Sequence, residues 1–253
     1  MTVKEIYERV CELIPEFLSE EWDNDGLMCA SDSSIEVKRA LITLDVTEDI
    51  VDYAVANDFD LILSHHPLIF KPLKGVTEDD HVARKVIKLV KNDVAVISLH
   101  TRADKVDGGV NDTLCEMLKI RNPEPFGEGL IARIGTLDEE LTLEDFSYLV
   151  KGLLDADGVK VSDACIPVQR VAVCGGDGKD FVKEALELGA DTYVSGRIGY
   201  NVMAEAGEMG INLIEAGHFF TEHPVTLYFQ SILMRLDGDM YVEIIDSNVI
   251  RLI

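Results

Sequence analysis

Basic residues are scarce in this 253-residue chain: 23 Lys and Arg stand against 47 Asp and Glu, a formal net charge of −24. An excess of acid repels phosphate backbones, and no Lys/Arg block interrupts it, so nucleic acid is disfavoured as a partner. Tryptophan occurs once and proline seven times. No apolar run reaches the roughly 18 residues of a membrane span. Residues 1–5 lack a charged-then-apolar leader, so the expectation is a cytoplasmic protein without a membrane partner. The five cysteines (Cys11, Cys29, Cys115, Cys165, Cys174) form no CxxC pair. Their odd number points to reduced, mostly buried thiols; Cys174, beside Gly175-Gly176, is a minor candidate nucleophile. What the chain does have is 47% hydrophobic residues in regular periodicity, which excludes disorder and suits one large or two modest domains.

The densest signal is Leu61-Ile62-Leu63-Ser64-His65-His66-Pro67. The apolar run reads as a buried strand of a parallel sheet. Two imidazoles stand at its carboxyl end, where ligands collect in open α/β sheets, and Pro67 keeps the preceding residue extended. Around it, Val3, Ile6, Val10 and Leu13 mark an opening helix. Residues 39–45 read as a strand, and Thr47-Glu48-Asp49 caps the next helix. Residues 68–80 read as a loop, 80–91 as a helix, and 94–99 as a second buried strand that delivers His100 and then Asp104. Glu21-Trp22-Asp23-Asn24-Asp25-Gly26 reads as a turn pinned by a buried ring. Asn122-Pro123-Glu124-Pro125-Phe126-Gly127 is the best boundary, giving halves 1–125 and 126–253 whose terminal segments can cross over.

The second half repeats the first. Arg39 to Ser64 and Arg170 to Ser195 align without a gap, each with a strand, a helix and a strand. Gly196-Arg197 then falls opposite His65-His66. Further on, His100-x-x-x-Asp104 is matched by His218-x-x-x-Glu222. The fold class expected is α/β: two similar βαβ-type domains related by an internal repeat, with a metal site at their interface. Imidazole and carboxylate suit first-row divalent metals. Five or six such groups exceed the needs of one catalytic ion, so two ions sharing a carboxylate is the simpler count. His81 and His223 read as exposed. Gly175-Gly176-Asp177-Gly178 resembles a phosphate-cradling turn, a weak signal.

Taken together, Trp22-Asp23-Asn24-Asp25-Gly26-Leu27, Ser64-His65-His66-Pro67-Leu68-Ile69-Phe70, His100-Thr101-x-x-Asp104, Gly108-Gly109-Val110-Asn111-Asp112, Cys174-Gly175-Gly176-Asp177-Gly178 and Gly217-His218-x-x-x-Glu222 resemble the NIF-three-like family, also labelled GTP cyclohydrolase type-two homologues. The resemblance runs almost end to end. It implies two similar α/β domains, a dinuclear centre and a toroidal homohexamer. The metal ligands it implies are His65, His66, Asp104, His218 and Glu222, with Glu222 bridging and His100 a further ligand or a proton shuttle. Two divalent ions per chain follow, with zinc, iron and manganese all open. Two places depart from the family pattern: Arg197 and Asn201 stand where an acid and a histidine are usual, and Arg102-Ala103 replaces the usual pair before Asp104.

Two functions compete. One is a metal-dependent hydrolase acting on a nucleotide or other phosphorylated small molecule, with His100 as general acid–base and a metal-activated water, not a side chain, as nucleophile; no Gly-x-Ser-x-Gly elbow surrounds Ser64 or Ser195. The other is a non-enzymatic metal-binding hexamer or adaptor.

Overall fold

A computed structural model describes residues 1–252. The chain forms two compact units, residues 1–106 with 225–249, and residues 107–224 with 250–252. In chain order the first contains α1 (Val3–Leu13), β1 (Gly26–Cys29), β2 (Arg39–Thr43), α2 (Glu48–Ala56), β3 (Leu61–Ser64), α3 (His81–Lys91), β4 (Ala95–Ser98) and α4 (Thr101–Lys105). The second contains α5 (Val110–Met117), β5 (Arg121–Phe126), β6 (Ala132–Leu141), α6 (Leu143–Leu153), β7 (Lys160–Ser162), β8 (Val168–Asp177), α7 (Val182–Glu187), β9 (Thr192–Arg197), α8 (Tyr200–Met209), β10 (Asn212–Glu215) and α9 (His218–Glu222). The chain then returns to the first unit as α10 (Val225–Leu236) and β11 (Tyr241–Ile244).

Local chemistry sets these boundaries. Thr2 and Glu5 cap α1 reciprocally, side chain to backbone, at 3.2 and 2.8 Å, which satisfies two of the amides a helix start leaves over. Thr47 accepts from Ile50 N and begins α2. Asp80 accepts from Val82 N and Ala83 N and begins α3. Strand β3 is buried along its whole length, as an apolar run in a covered parallel sheet should be. In the first unit Leu41, Ile62 and Val96 form a core with Val51 and Ala54 of α2 and Leu89 of α3. Among the described residues no helix is long and apolar enough to cross a membrane.

The first sheet runs β1-β4-β3-β2-β11 and the second β5-β6-β8-β9-β10-β7. The repeat holds at the level of register. Ala40 faces Leu61 and Thr43 faces Ser64 across β2 and β3; Val171 faces Thr192 and Cys174 faces Ser195 across β8 and β9. Asp60 accepts from the backbone of Lys38 and Arg39, and Asp191 does the same for Gln169 and Arg170. The edges differ. Parallel β11 flanks β2, whereas antiparallel β6 flanks β8. Residues 122–126, within the stretch read as the boundary, extend the second sheet as part of β5, paired to β6. Pro123 and Pro125 are tolerated there because an edge strand has one side without ladder partners.

Candidate metal centre

In the first unit β3 ends at Ser64 and presents His65 and His66, while β4 ends at Ser98 and presents His100. Each ring is held through Nδ1. His65 Nδ1 lies 2.9 Å from the Leu99 carbonyl oxygen. His66 Nδ1 lies 2.7 Å from Asp45 Oδ1, and His100 Nδ1 lies 2.8 Å from Asp23 Oδ1. A carbonyl or carboxylate oxygen can only accept, so each neutral ring carries its hydrogen on Nδ1 and keeps the Nε2 lone pair as its donor towards an ion. Metal-ligating imidazoles are held in this way, by an oxygen acceptor on the nitrogen that faces away from the ion. One nitrogen from each of the three rings lies within 4.8 Å of the others. Asp104, on α4, brings Oδ1 to 3.6 Å from His65 Nε2.

Asp23 is the anchor of His100. Its buried carboxylate also accepts from Thr101 Oγ1 at 2.7 Å and Thr101 N at 3.1 Å. Burial alone would raise its pKa, but the bonds from His100 and Thr101 outweigh that and hold it well below the usual carboxylate range. Asp25 is pushed the other way, upward by burial, with the Arg102 guanidinium 3.1 Å away opposing the shift. Arg102 is fully buried and also donates to the Ile14 carbonyl oxygen at 3.3 Å. At this departure from the family pattern, arginine is a strut tying α4 to the residues before β1. The expected buried tryptophan is corrected: Trp22 is 62% exposed, edge-on to Phe70 and to His100 at 6.2 Å. The carboxylate next to it is what the turn buries.

In the second unit Gly217, at φ +92°, turns the chain from β10 into α9. His218 Nε2 then sits 3.0 Å from Glu222 Oε2, the carboxylate buried and the ring half-exposed. Two glycines make room for that helix. A Cβ on Gly176, itself at φ +64°, would stand 2.1 Å from Glu222 Oε1. A Cβ on Gly196 would stand 2.6 Å from Thr221 Oγ1 and 2.7 Å from the His218 Cα.

The phosphate-turn reading is corrected by the same residues. Gly175 N donates to Asn111 Oδ1, Gly176 N to Thr221 Oγ1 and Gly178 N to Ser195 Oγ. Those amides are engaged within the unit and do not cradle an anion. Cys174 is buried, and all five cysteines are free thiols. Arg197 pairs with Asp177 at 3.5 Å on the surface. His81 is exposed as expected, but His223 is half-buried and stacked on Phe219 at 4.8 Å.

His65, His66 and His100 therefore converge with Asp104 in the first unit, and His218 meets Glu222 in the second. Asp23 and Asp45 went unrecognised in the sequence as the groups that aim the rings. The signal for Asp45 was its place at the end of the β2 stretch; Asp23 offered none beyond its turn. Nitrogen and carboxylate oxygen in this mixture fit zinc, iron or manganese.

Curated relatives carry the same span. The chain is 34% identical over 248 residues to the GTP cyclohydrolase 1 type 2 homolog of Clostridium perfringens, covering 95% of this chain and 94% of that one. It is 30% identical over 230 residues to NIF3-like protein 1 of Drosophila melanogaster, covering 87% and 78%. Among solved structures, reduced HcgD of Methanocaldococcus jannaschii superposes with a TM-score of 0.82 at 26% identity, covering 96% of this chain and 97% of that one. A Bacillus cereus protein related to NIF3 superposes at 0.89 and 24% identity, covering 100% and 99%. The family model for Duf34/NIF3 (NGG1p interacting factor 3) matches residues 1–252, a span that takes in every histidine and carboxylate described above, and the chain belongs to that family.

Proposed function

We propose that the chain holds two divalent ions, through His65, His66 and Asp104 of the first unit and His218 and Glu222 of the second. On this reading it is a hydrolase of nucleotides or other phosphorylated small molecules, working as a cytoplasmic homohexamer. One observation carries the metal reading above all: three imidazoles, each fixed through Nδ1, bring nitrogens within 4.8 Å of one another. Surface histidines do not share such a shell, whereas ligating ones do. Bound divalent ions would acidify water and polarise a phosphoryl or amide-type oxygen. The protein's own part is positional. Asp23 fixes the His100 tautomer, so that His100 takes or gives its proton at Nε2. Asp45 and the Leu99 carbonyl do the same for His66 and His65.

The second reading is a non-enzymatic metal-binding assembly. The convergence of His100 on His65 and His66 favours it, because a third imidazole can close the coordination position that a catalytic ion keeps open. Replacing His100 separates the two. As a proton carrier, His100→Gln keeps its metal and loses roughly a hundredfold to ten-thousandfold of the turnover found by screening nucleotides and phosphoesters. If the variant loses metal as completely as His65→Gln does, His100 is a ligand and the non-enzymatic reading gains.

A further inference from the structure

Beyond the histidines, the loop between β3 and α3 borders a pocket of about 720 Å³ within the first unit, lined from Pro67 through Lys85. Its cations stand out against the charge of the chain. Of thirteen lysines, seven pair with a carboxylate: Lys4, Lys38, Lys88, Lys105, Lys160, Lys179 and Lys183. Among the described residues six lysines form no ion pair, and three of the six, Lys71, Lys74 and Lys85, line this one pocket; Lys91, Lys119 and Lys151 lie outside it.

Each pocket lysine has an evident reason for that. Lys71 and Lys74 stand exposed on the loop. Lys85 is half-buried and donates to the Val46 carbonyl oxygen at 2.5 Å, with Asp45 and Glu48 near enough to act on its charge. The one carboxylate in the lining, Asp80, is engaged by the backbone of Val82 and Ala83 as the α3 cap. The pocket also abuts the histidines: Phe70 forms part of its wall and lies edge-on to His100, ring centroids 6.1 Å apart. Asn24 donates to the Ile69 carbonyl oxygen and ties the loop to the Asp23 turn that holds His100.

We propose that Lys71, Lys74 and Lys85 form an anion subsite that holds the phosphate or polyphosphate end of a small molecule beside the histidine cluster. Ammonium groups are point-charge binders of phosphate, and three of them in one concavity outweigh its single, already committed acid. The inference rests on the proposed function only for its purpose, which is to place the rest of the molecule at the metal; the anion site itself needs no metal.

That independence sets the experiment. Inorganic pyrophosphate is titrated calorimetrically into the full chain as purified and again after dialysis against a chelator. The Lys71→Ala/Lys74→Ala pair is compared with Lys91→Ala/Lys119→Ala, which removes the same charge elsewhere. We expect binding that survives chelation, weakened about tenfold or more in the first pair and less than about twofold in the second, since charge-assisted bonds at a partly exposed site discriminate on that scale. Thermal melting should be unchanged in both pairs, because the altered side chains are exposed. Absence of binding, loss of binding on chelation, or equal weakening in both pairs overturns the subsite. Failure of the metal reading would show separately, in the metal content of the purified chain.

Discussion

Asp45 of the first unit and Gly176 of the second occupy the same place in the repeat, Asp45 just past the end of β2 and Gly176 in the last residues of β8. Asp45 reaches His66 Nδ1 at 2.7 Å. Gly176 has no side chain, and the Glu222 carboxylate fills the space where one would be. The next strand end shows the same trade: His65 and His66 stand against Gly196 and Arg197. One strand–helix–strand scaffold thus presents histidines from its strand ends in the first unit. In the second it is stripped to glycine, so that a short helix can bring in His218 and Glu222. The repeat preserves backbone bonding, down to Asp60 and Asp191, while the chemistry at the strand tips diverges.

The largest effect expected from breaking this contrast is at Gly176. Gly176→Ala places a Cβ against Glu222 at a positive φ. Overpacking and left-handed backbone together should cost about 2–4 kcal/mol by urea unfolding and should lower metal content. Asp45→Ala, its counterpart, should cost only about 1–2 kcal/mol, the net worth of its bonds with His66 Nδ1 and Ser247 Oγ, because it opens no clash. Equal losses in the two would remove the contrast.

Next comes Asp23→Ala. It strips a buried acceptor from His100 Nδ1, Thr101 Oγ1 and Thr101 N, and about 2–3 kcal/mol of stability should go with it. If His100 is the proton carrier, turnover should fall further than metal content; equal falls would contradict that role.

Acid should act on both units with the same sign. Asp23 is held low against its burial by His100 and Thr101. Glu215 is held low against its burial by Gly199 N, Lys160 and Ile198 N. A carboxylate whose folded pKa is depressed stabilises above its unfolded value, roughly 4, and loses that contribution as pH falls from there towards the folded value. The urea midpoint should therefore drop as pH falls below about 4, and Asp23→Asn or Glu215→Gln should each flatten the slope. A wild-type midpoint flat across that window would contradict both assignments.

The smallest effect is in the thiols. Cys165 is exposed and should alkylate in the native state. Burial pushes the Cys29 thiol up to about 11 and the Cys115 thiol up to about 12, and a thiol kept protonated is a poor nucleophile. Mass spectrometry should find those two modified only on unfolding.

Much of this was legible in the sequence, and the boundary has physical causes. The apolar run at Leu61 and the cap at Thr47 are local signals, so β3 and α2 could be read directly. The repeat exposed His218 and Glu222, because a periodic copy turns a distant pair into a matched one. The supporting shell could not be read that way. Asp23 and His100 are 77 positions apart, and no spacing rule connects a turn to a strand end that far along the chain. Trp22 misled for a related reason: a lone tryptophan is usually buried for its area, but here the buried group is the carboxylate beside it. The proline-rich stretch at 122–127 reads as a boundary by its composition, and only the pairing of residues 121–126 with β6 makes it an edge strand.

The proposal that residues of both units hold metal is tested by elemental analysis of the full chain purified without added metal. About two divalent ions per chain are expected in the wild type, with much of that metal lost in Glu222→Gln and in His65→Gln alike. Less than one ion per chain in well-folded wild type, or a Glu222→Gln variant that keeps both ions, would contradict it.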